Sequence, residues 1–357
     1  MVYIPESNLP NLAKHQFKST GYSALDNVLS RFVWEPFVLL FPSTLAPNLI
    51  TFIGLIFMIA SYAIMLPFDQ TFTKEPPSYV LFFAAFCEFM YQTLDACDGK
   101  QARRLKLASP LGMLMDHGCD SLSCSLIIMT LVQGLVLGLS NDVLVLFVVI
   151  QTGFFLTHWE EYHTHYHRTQ MFNWGVTEGQ WTNIILLILS GIYGASTWQM
   201  VIYGYRIETF LIYGNMSAGI LISTLMIFTT LGKVKGIQPA LRLIPMALLN
   251  ISLYYWFQSE LIVNYAPAVL TAHGLIFAKL NSKLIICSTA TMKFGWFDLD
   301  IFVEFAFVLQ ATYLKVLPSE VSFFLFFGFI TLRYLNFVFS VVGQLADYLK
   351  ISVFSVK

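Results

Sequence analysis

Long apolar runs separated by short polar connections dominate the pattern of hydrophobic and polar positions along the chain. A membrane-spanning helix needs about 20 mostly apolar residues, because its backbone must satisfy its own hydrogen bonds in hydrocarbon. The pattern therefore predicts an all-α, polytopic membrane protein of about ten transmembrane helices. The predicted spans lie at 47–66, 79–94, 111–139, 142–158, 181–197, 216–232, 242–259, 261–279, 298–316 and 321–345.

The segment before the first span has a different pattern. Leu25 and Leu29 recur at helical spacing, with Asp26 on the polar side. This pattern favours an N-terminal amphipathic helix on the membrane surface, with a soluble cap as the alternative. We therefore predict an N-terminal interfacial segment at 1–46 and a single transmembrane domain at 47–357.

Composition supports a membrane protein, since 57% of the 357 residues are hydrophobic and only 11% are charged. The net charge of −1 gives no basic excess that would indicate a nucleic-acid partner. The N-terminus has no charged start followed by an apolar core, so no cleavable signal peptide is expected. The five cysteines show no paired spacing, and we expect free thiols.

Acidic residues concentrate between the second and third predicted spans. Asp95 and Asp98 are three residues apart, while Asp116 and Asp120 are four apart, so each pair lies on one face of its own helix. Pro110 can begin a helix but cannot sit inside one. A short turn around Ser109 and Pro110 would then bring the two acidic faces together in an antiparallel pair.

Carboxylates that face one another near lipid cannot all stay ionised without a counter-charge. Oxygen ligands favour a hard cation, so we expect Mg²⁺ or Mn²⁺, with a pair of ions forming a clamp for phosphoryl chemistry. The alternative is a set of protonated or salt-bridged aspartates with Arg103 and Arg104 as partners. Gly99, Ala102 and Gly112 would let a ligand approach the backbone, although small residues also serve ordinary helix packing.

From Asp95 to Asp120 the sequence reads D-x-x-D-G-x-x-A-R-x8-G-x-x-x-D-x-x-x-D. This stretch resembles, at every specified position, the signature of the CDP-alcohol phosphotransferase family. The segments YQTLDACDGKQARR, DHGCDS, WEEYHT and VTEGQ resemble its eukaryotic choline and ethanolamine phosphotransferase branch. The resemblance implies transfer of phosphocholine or phosphoethanolamine from CDP-choline or CDP-ethanolamine to diacylglycerol, releasing CMP and making phosphatidylcholine or phosphatidylethanolamine.

The resemblance also implies residue roles. It makes Asp95, Asp98, Asp116 and Asp120 the metal ligands, and Asn48, Gly99, Ala102, Arg103 and Gly112 the CDP-alcohol site. Asn48 enters through PNLIT at 47–51, which resembles the first-helix pattern of the family. Taken alone, Asn48 is an ordinary helix cap.

A base must accept the proton of the diacylglycerol hydroxyl. Asp120 is the usual candidate in the wider family, but metal binding lowers the basicity of a carboxylate. We therefore predict that His117 is the base and that Glu178 orients it, with Glu161 as second choice. The alternatives are a supporting hydrogen bond from His117 to Asp116 and, for Glu178, a charge at a helix start.

Other chemistry-bearing residues are less specific. His163, His165 and His167 alternate in YHTHYH, a spacing that spreads side chains around a helix, so we expect a surface loop rather than zinc. Glu88 and Tyr91, one turn apart, could line a pocket for a quaternary ammonium group.

Basic residues cluster beside the acidic stretch. Lys100, Arg103, Arg104 and Lys106 favour a cytosolic position for this loop. The resemblance further implies an endoplasmic reticulum or Golgi membrane and a homodimer, and between the head groups we predict dual or ethanolamine-preferring activity. An ion-coupled transporter using the carboxylates is the alternative, and it would require inverted repeats.

Overall fold

The computed structural model describes residues 3–15, 18–19 and 21–356. Residues 1, 2, 16, 17 and 20 of the predicted N-terminal segment, and residue 357 of the predicted transmembrane domain, lie outside it. The regular structure is almost entirely helical. The α-helices are α1 (Leu9–Ala13), α2 (Ala24–Leu29), α3 (Glu35–Leu39), α4 (Pro47–Met65), α5 (Ser78–Leu105), α6 (Pro110–Gly134), α7 (Asn141–Thr164), α8 (Val176–Tyr193), α9 (Ile207–Lys233), α10 (Gln238–Leu241), α11 (Ile244–Phe257), α12 (Glu260–Thr289), α13 (Leu299–Leu309) and α14 (Ser319–Leu349). Two antiparallel hairpins, β1 (Gln170–Met171) with β2 (Trp174–Gly175) and β3 (Val201–Ile202) with β4 (Tyr205–Arg206), precede α8 and α9.

Seven helical segments of the described chain are long and apolar enough to cross a membrane: α4, α5, α7, α9, the pair α10 and α11, α12, and α14. Helices also form at the other three predicted positions. There, α6 carries two motif aspartates, α8 begins with polar residues, and α13 is 11 residues long. The all-α, polytopic class is confirmed, whereas a count of ten spans is not.

The N-terminal helical segment packs on α5. Ser23 caps α2 by accepting a hydrogen bond from the Asp26 backbone N–H, while the Asp26 side chain accepts from the Ser23 N–H. A π-helical turn joins α2 to α3. Buried Leu29, Trp34 and Val38 pack against Cys97 of α5. The opposite side of the segment carries exposed apolar side chains.

The loop between α4 and α5 is closed by one carboxylate. Asp69 accepts hydrogen bonds from the backbone N–H groups of Thr71, Thr73 and Lys74. Burial alone would raise the pKa of Asp69, but these bonds outweigh it and lower the pKa to about 2. The loop geometry therefore depends on the ionised form of Asp69.

The motif helix α6 lies between α4 and α5 on one side and α12 on the other. Gly274 allows α12 to come close, because a Cβ at that position would lie 2.7 Å from the Ser125 Oγ of α6. Asn281 of α12 donates to the Ser121 Oγ of α6 at 2.8 Å. The C-terminal half of the chain thus supports the helix that carries Asp116 and Asp120.

Candidate active site

A tight hairpin brings the two acidic helices together. α5 ends at Leu105, where Lys106 adopts a left-handed backbone conformation with φ of 59°. Ser109 then caps α6 by accepting from the Gly112 N–H at 3.1 Å, and Pro110 is the first residue of α6. The predicted turn around Ser109 and Pro110 is therefore present.

The four motif aspartates form one cluster. Carboxylate oxygens of Asp95, Asp98 and Asp116 all lie within 4.8 Å of one another. Asp120 interacts with Asp95. The acidic faces of α5 and α6 thus meet as their spacing predicted.

Two hydroxyl groups orient the outer members of this cluster. The Thr51 hydroxyl of α4 donates to Asp98. The Tyr91 hydroxyl donates to the Asp120 Oδ1 at 2.6 Å. Each donor leaves the remaining carboxylate lone pairs for a cation.

No ion pair within the described residues neutralises these aspartates. Arg104 instead donates to the carbonyl oxygens of Val38 and Phe41 at 2.9 and 3.0 Å, so it holds the N-terminal segment. The Asp95 Oδ1 is buried and has no hydrogen-bond partner among the described residues. A buried oxygen without a donor, in an oxygen-only cluster, is the environment that a hard divalent cation fits.

A cavity of about 410 Å³ opens beside the cluster. It is lined by eight of the predicted site residues: Asn48, Asp98, Gly99, Ala102, Arg103, Gly112, Asp116 and His117. A volume of this size accommodates a nucleotide-sized ligand. The predicted CDP-alcohol residues and the acidic cluster therefore share one compartment.

Two glycines shape the wall of this cavity. A Cβ at Gly112 would lie 3.3 Å from the Asn48 Oδ1, so Gly112 provides the room in which the Asn48 amide sits. A Cβ at Gly99 would lie 3.4 Å from Arg103 Nη1, because the guanidinium lies over that glycine. The cavity also contains His15 from the N-terminal segment, and burial lowers the pKa of His15.

His117 lies between the cavity and a group of imidazoles. Its ring centroid is 5.3 Å from those of both His158 and His167. His167 in turn contacts Glu161, with 2.8 Å between Nδ1 and Oε2. Of the two carboxylates predicted to support His117, Glu161 is the one found in this group.

Glu178 is engaged elsewhere. Its Oε1 accepts from the Ser23 hydroxyl at 2.5 Å, and its Oε2 accepts from the Gly175 N–H at 2.8 Å. These bonds cap α8 and tie it to α2. Each Glu178 oxygen holds one donor and keeps a lone pair for a further one.

Glu88 and Tyr91 have separate partners. Both Glu88 oxygens accept from the Asn183 side-chain amide, at 2.9 and 3.1 Å, whereas Tyr91 points to Asp120. The two side chains thus bind different protein groups, and an ammonium pocket formed by this pair stays a prediction.

Sequence reasoning missed Thr51 and His15, and it missed the contact of Tyr91 with Asp120. Thr51 lies in the PNLIT segment that drew attention only to Asn48, and Tyr91 precedes Asp95 by one helical turn. Helical spacing could have placed Tyr91 on the acidic face, because residues four apart lie on one face. His15 reaches the cavity through tertiary packing, and no sequence signal identifies it.

The fold and the site define a polytopic α-helical membrane protein with a buried acidic centre beside a ligand-sized cavity. A model of the CDP-alcohol phosphatidyltransferase family matches residues 44–226. An uncharacterized class-I member from Dictyostelium discoideum is 32% identical over 99% of this chain and 88% of its own length. The mouse protein named ethanolaminephosphotransferase 1 is 30% identical over 96% of this chain and 92% of its own length.

The yeast protein named cholinephosphotransferase 1 is 37% identical, over 55% of this chain and 49% of its own length. The resemblance carried by the acidic motif is thus confirmed by comparisons that extend over nearly the whole chain. The chain belongs to the CDP-alcohol phosphatidyltransferase family.

Proposed function

We propose that this protein transfers phosphocholine or phosphoethanolamine from CDP-choline or CDP-ethanolamine to diacylglycerol and releases CMP. The observation that carries the proposal is the meeting of the four motif aspartates beside a cavity lined by the motif's small and basic residues. Relatives named ethanolaminephosphotransferase and cholinephosphotransferase support the same reaction. A single acidic hairpin, rather than acids in matched halves, favours transfer over ion-coupled transport.

We propose Asp95, Asp98, Asp116 and Asp120 as ligands for a pair of Mg²⁺ or Mn²⁺ ions. The oxygen-only donor set and the unpartnered Asp95 Oδ1 support this assignment. When bound, such ions supply charge neutralisation for the diphosphate and for the leaving CMP oxygen. The role of the chain is to hold these carboxylates at fixed positions on two rigid helices.

The CDP-alcohol is proposed to lie in the 410 Å³ cavity. Arg103 presents a planar guanidinium suited to phosphate oxygens, and Asn48 presents an amide beside Gly112. Gly99 and Ala102 leave the α5 surface open to the ligand. These residues orient the nucleotide so that the phosphate bearing the amino alcohol faces the acidic cluster.

His117 is the proposed base for the diacylglycerol hydroxyl, because it lines the cavity next to the acidic cluster. Asp120 is proposed as a metal ligand instead, and a bound cation would lower the basicity of its carboxylate. The pairing of Glu178 with His117 stays a prediction: its two oxygens accept from Ser23 and Gly175, and each keeps a lone pair for an imidazole N–H.

We propose ten membrane spans: the seven apolar segments together with α6, α8 and α13. The polar faces of these three helices would be buried against other helices. Exposed Phe32, Leu39 and Leu40 support an interfacial position for the segment before α4, and with it the boundary at residue 46. Lys100 and Lys106 support a cytosolic active site. From the family resemblance we also propose that the protein is a homodimer in the endoplasmic reticulum or Golgi membrane.

The test is product formation by purified protein with diacylglycerol, Mg²⁺ and either CDP-choline or CDP-ethanolamine. Asp98→Asn and His117→Ala should each lose at least about 100-fold in turnover, the usual contribution of such groups. His165→Asn is the matched control, because His165 is exposed outside the cavity and Asn tolerates its left-handed backbone. Wild-type protein that makes neither lipid would overturn the proposal, and near-normal turnover by His117→Ala would move the base to Asp120.

A further inference from the structure

A second cluster of metal-binding side chains lies at the end of α7. His158 and Glu161 are three residues apart, so they lie on one face of the last turns of the helix. The chain turns at His165, whose φ is 56°, and His167 returns beside them. Potential ligand atoms of His158, Glu161 and His167 all lie within 4.8 Å of one another.

The three side chains are shielded from solvent. His158 is 3% exposed, and the Glu161 and His167 side chains are 6% and 12% exposed. Charged or hydrogen-bonding groups withdrawn from water to this extent require partners. The Glu161–His167 contact provides one such pairing, but it leaves His158 incompletely satisfied.

His158 has the hydrogen-bonding pattern of a metal-binding histidine. Its Nδ1 is 3.2 Å from the Phe154 carbonyl oxygen, 3.3 Å from the Thr157 Oγ1 and 3.4 Å from the Asn281 Nδ2. The carbonyl is the shortest of these contacts and can only accept, so it favours a proton on Nδ1. In that tautomer Nε2 carries the lone pair, and the Nε2 is buried with no hydrogen-bond partner among the described residues. A carbonyl on one ring nitrogen typically fixes the other nitrogen for coordination.

The spacing of the rings agrees with coordination. The ring centroids of His158 and His167 are 5.1 Å apart. Two imidazoles bound to one tetrahedral zinc at about 2.0–2.1 Å place their centroids about 5.2 Å apart. The 2.8 Å contact between His167 Nδ1 and Glu161 Oε2 would lengthen by about 0.5 Å if both atoms bound that ion.

We propose that His158, Glu161 and His167 form a zinc site that is separate from the aspartate cluster. Two imidazole nitrogens and one carboxylate suit Zn²⁺, whereas the four aspartates suit a harder ion, so the two sites select different metals. The site leaves a fourth position for water or another ligand. Its occupancy does not depend on the proposed transfer reaction.

The test measures metal directly in the purified full-length protein. After chelator treatment and return of Mg²⁺, one molar equivalent of Zn²⁺ is added, the excess is removed, and bound zinc is counted by mass spectrometry. We expect about one zinc per wild-type chain. Glu161→Gln and His167→Gln should each weaken zinc binding at least tenfold in a competition titration with a chromogenic chelator.

Two variants serve as matched controls. His165→Asn removes an exposed imidazole from the same turn with a residue that tolerates its left-handed backbone, and Asp98→Asn alters the aspartate cluster; both should retain the zinc. The proposed site is overturned if wild-type protein holds no more zinc than background. It is also overturned if the Glu161 and His167 variants bind zinc as tightly as the wild type. X-ray absorption that counts two imidazoles supports it, whereas a third imidazole would add His117 as a ligand and overturn its role as base.

Discussion

Removing the Tyr91 hydroxyl should weaken the affinity of the protein for Mg²⁺. The hydroxyl donates to Asp120 at 2.6 Å, and Tyr91 is 2% exposed, so Tyr91→Phe removes one oxygen without opening the packing around the ring. The hydroxyl positions the carboxylate before and after a cation binds, so only the orienting effect contributes to affinity. Removing such a supporting partner of a metal ligand typically costs about 10- to 100-fold in metal affinity.

The assay is CMP release in mixed micelles of diacylglycerol and detergent, titrated with Mg²⁺ at saturating CDP-alcohol. The half-saturating Mg²⁺ concentration should rise at least tenfold, and turnover should recover at high Mg²⁺ because the ligand itself is still present. Tyr62→Phe is the control, since its buried hydroxyl has no hydrogen-bond partner among the described residues. If Tyr91→Phe matches Tyr62→Phe within twofold, the hydroxyl does not orient Asp120 for metal binding.

Three further outcomes follow from the site and the loops. Gly112→Ala should raise KM for the CDP-alcohol about tenfold (~1.4 kcal/mol) with a smaller change in kcat, because the new methyl group presses on the Asn48 amide; Gly343→Ala, with open space around it, should change neither. Glu178→Gln retains an acceptor for the α8 cap, so a loss of about 100-fold in turnover at an unchanged melting temperature would identify Glu178 as the partner of His117, and unchanged turnover would assign it to the cap alone. Asp69→Asn should lower the melting temperature most above about pH 4. The pKa of Asp69 is about 2 in the folded protein and 3.8 in the unfolded chain, so its ionised form stabilises the fold above pH 3.8, and this stabilisation is lost as the pH falls to 2. A difference in melting temperature between variant and wild type that stays constant from pH 6 to pH 3 would contradict this.

Local spacing predicted much of the acidic site. The intervals between Asp95 and Asp98 and between Asp116 and Asp120 place each pair on one helix face, and Pro110 marks where the second helix begins. These features depend on residues within one or two turns of each other. Sequence alone could therefore place the carboxylates on two facing helices before any tertiary contact was known.

Contacts between distant segments were beyond that reasoning. The Thr51 bond to Asp98 spans 47 positions, and the Ser23 bond to Glu178 spans 155, so no local periodicity reports them. The count of ten membrane spans is not confirmed for a related reason, since seven segments of the described chain are long and apolar enough to cross a membrane. The polarity of α6 and α8 reflects contacts with other helices, which a pattern of apolar runs does not reveal.

The contact between α6 and α12 limits how this protein can be divided. The family match ends at residue 226, yet Gly274 and Asn281, which support α6, lie beyond it. A recombinant fragment trimmed to the matched region would leave one side of the motif helix uncovered. Chimaeras that exchange C-terminal halves between relatives must likewise keep a residue at position 274 that is small enough to pack against Ser125.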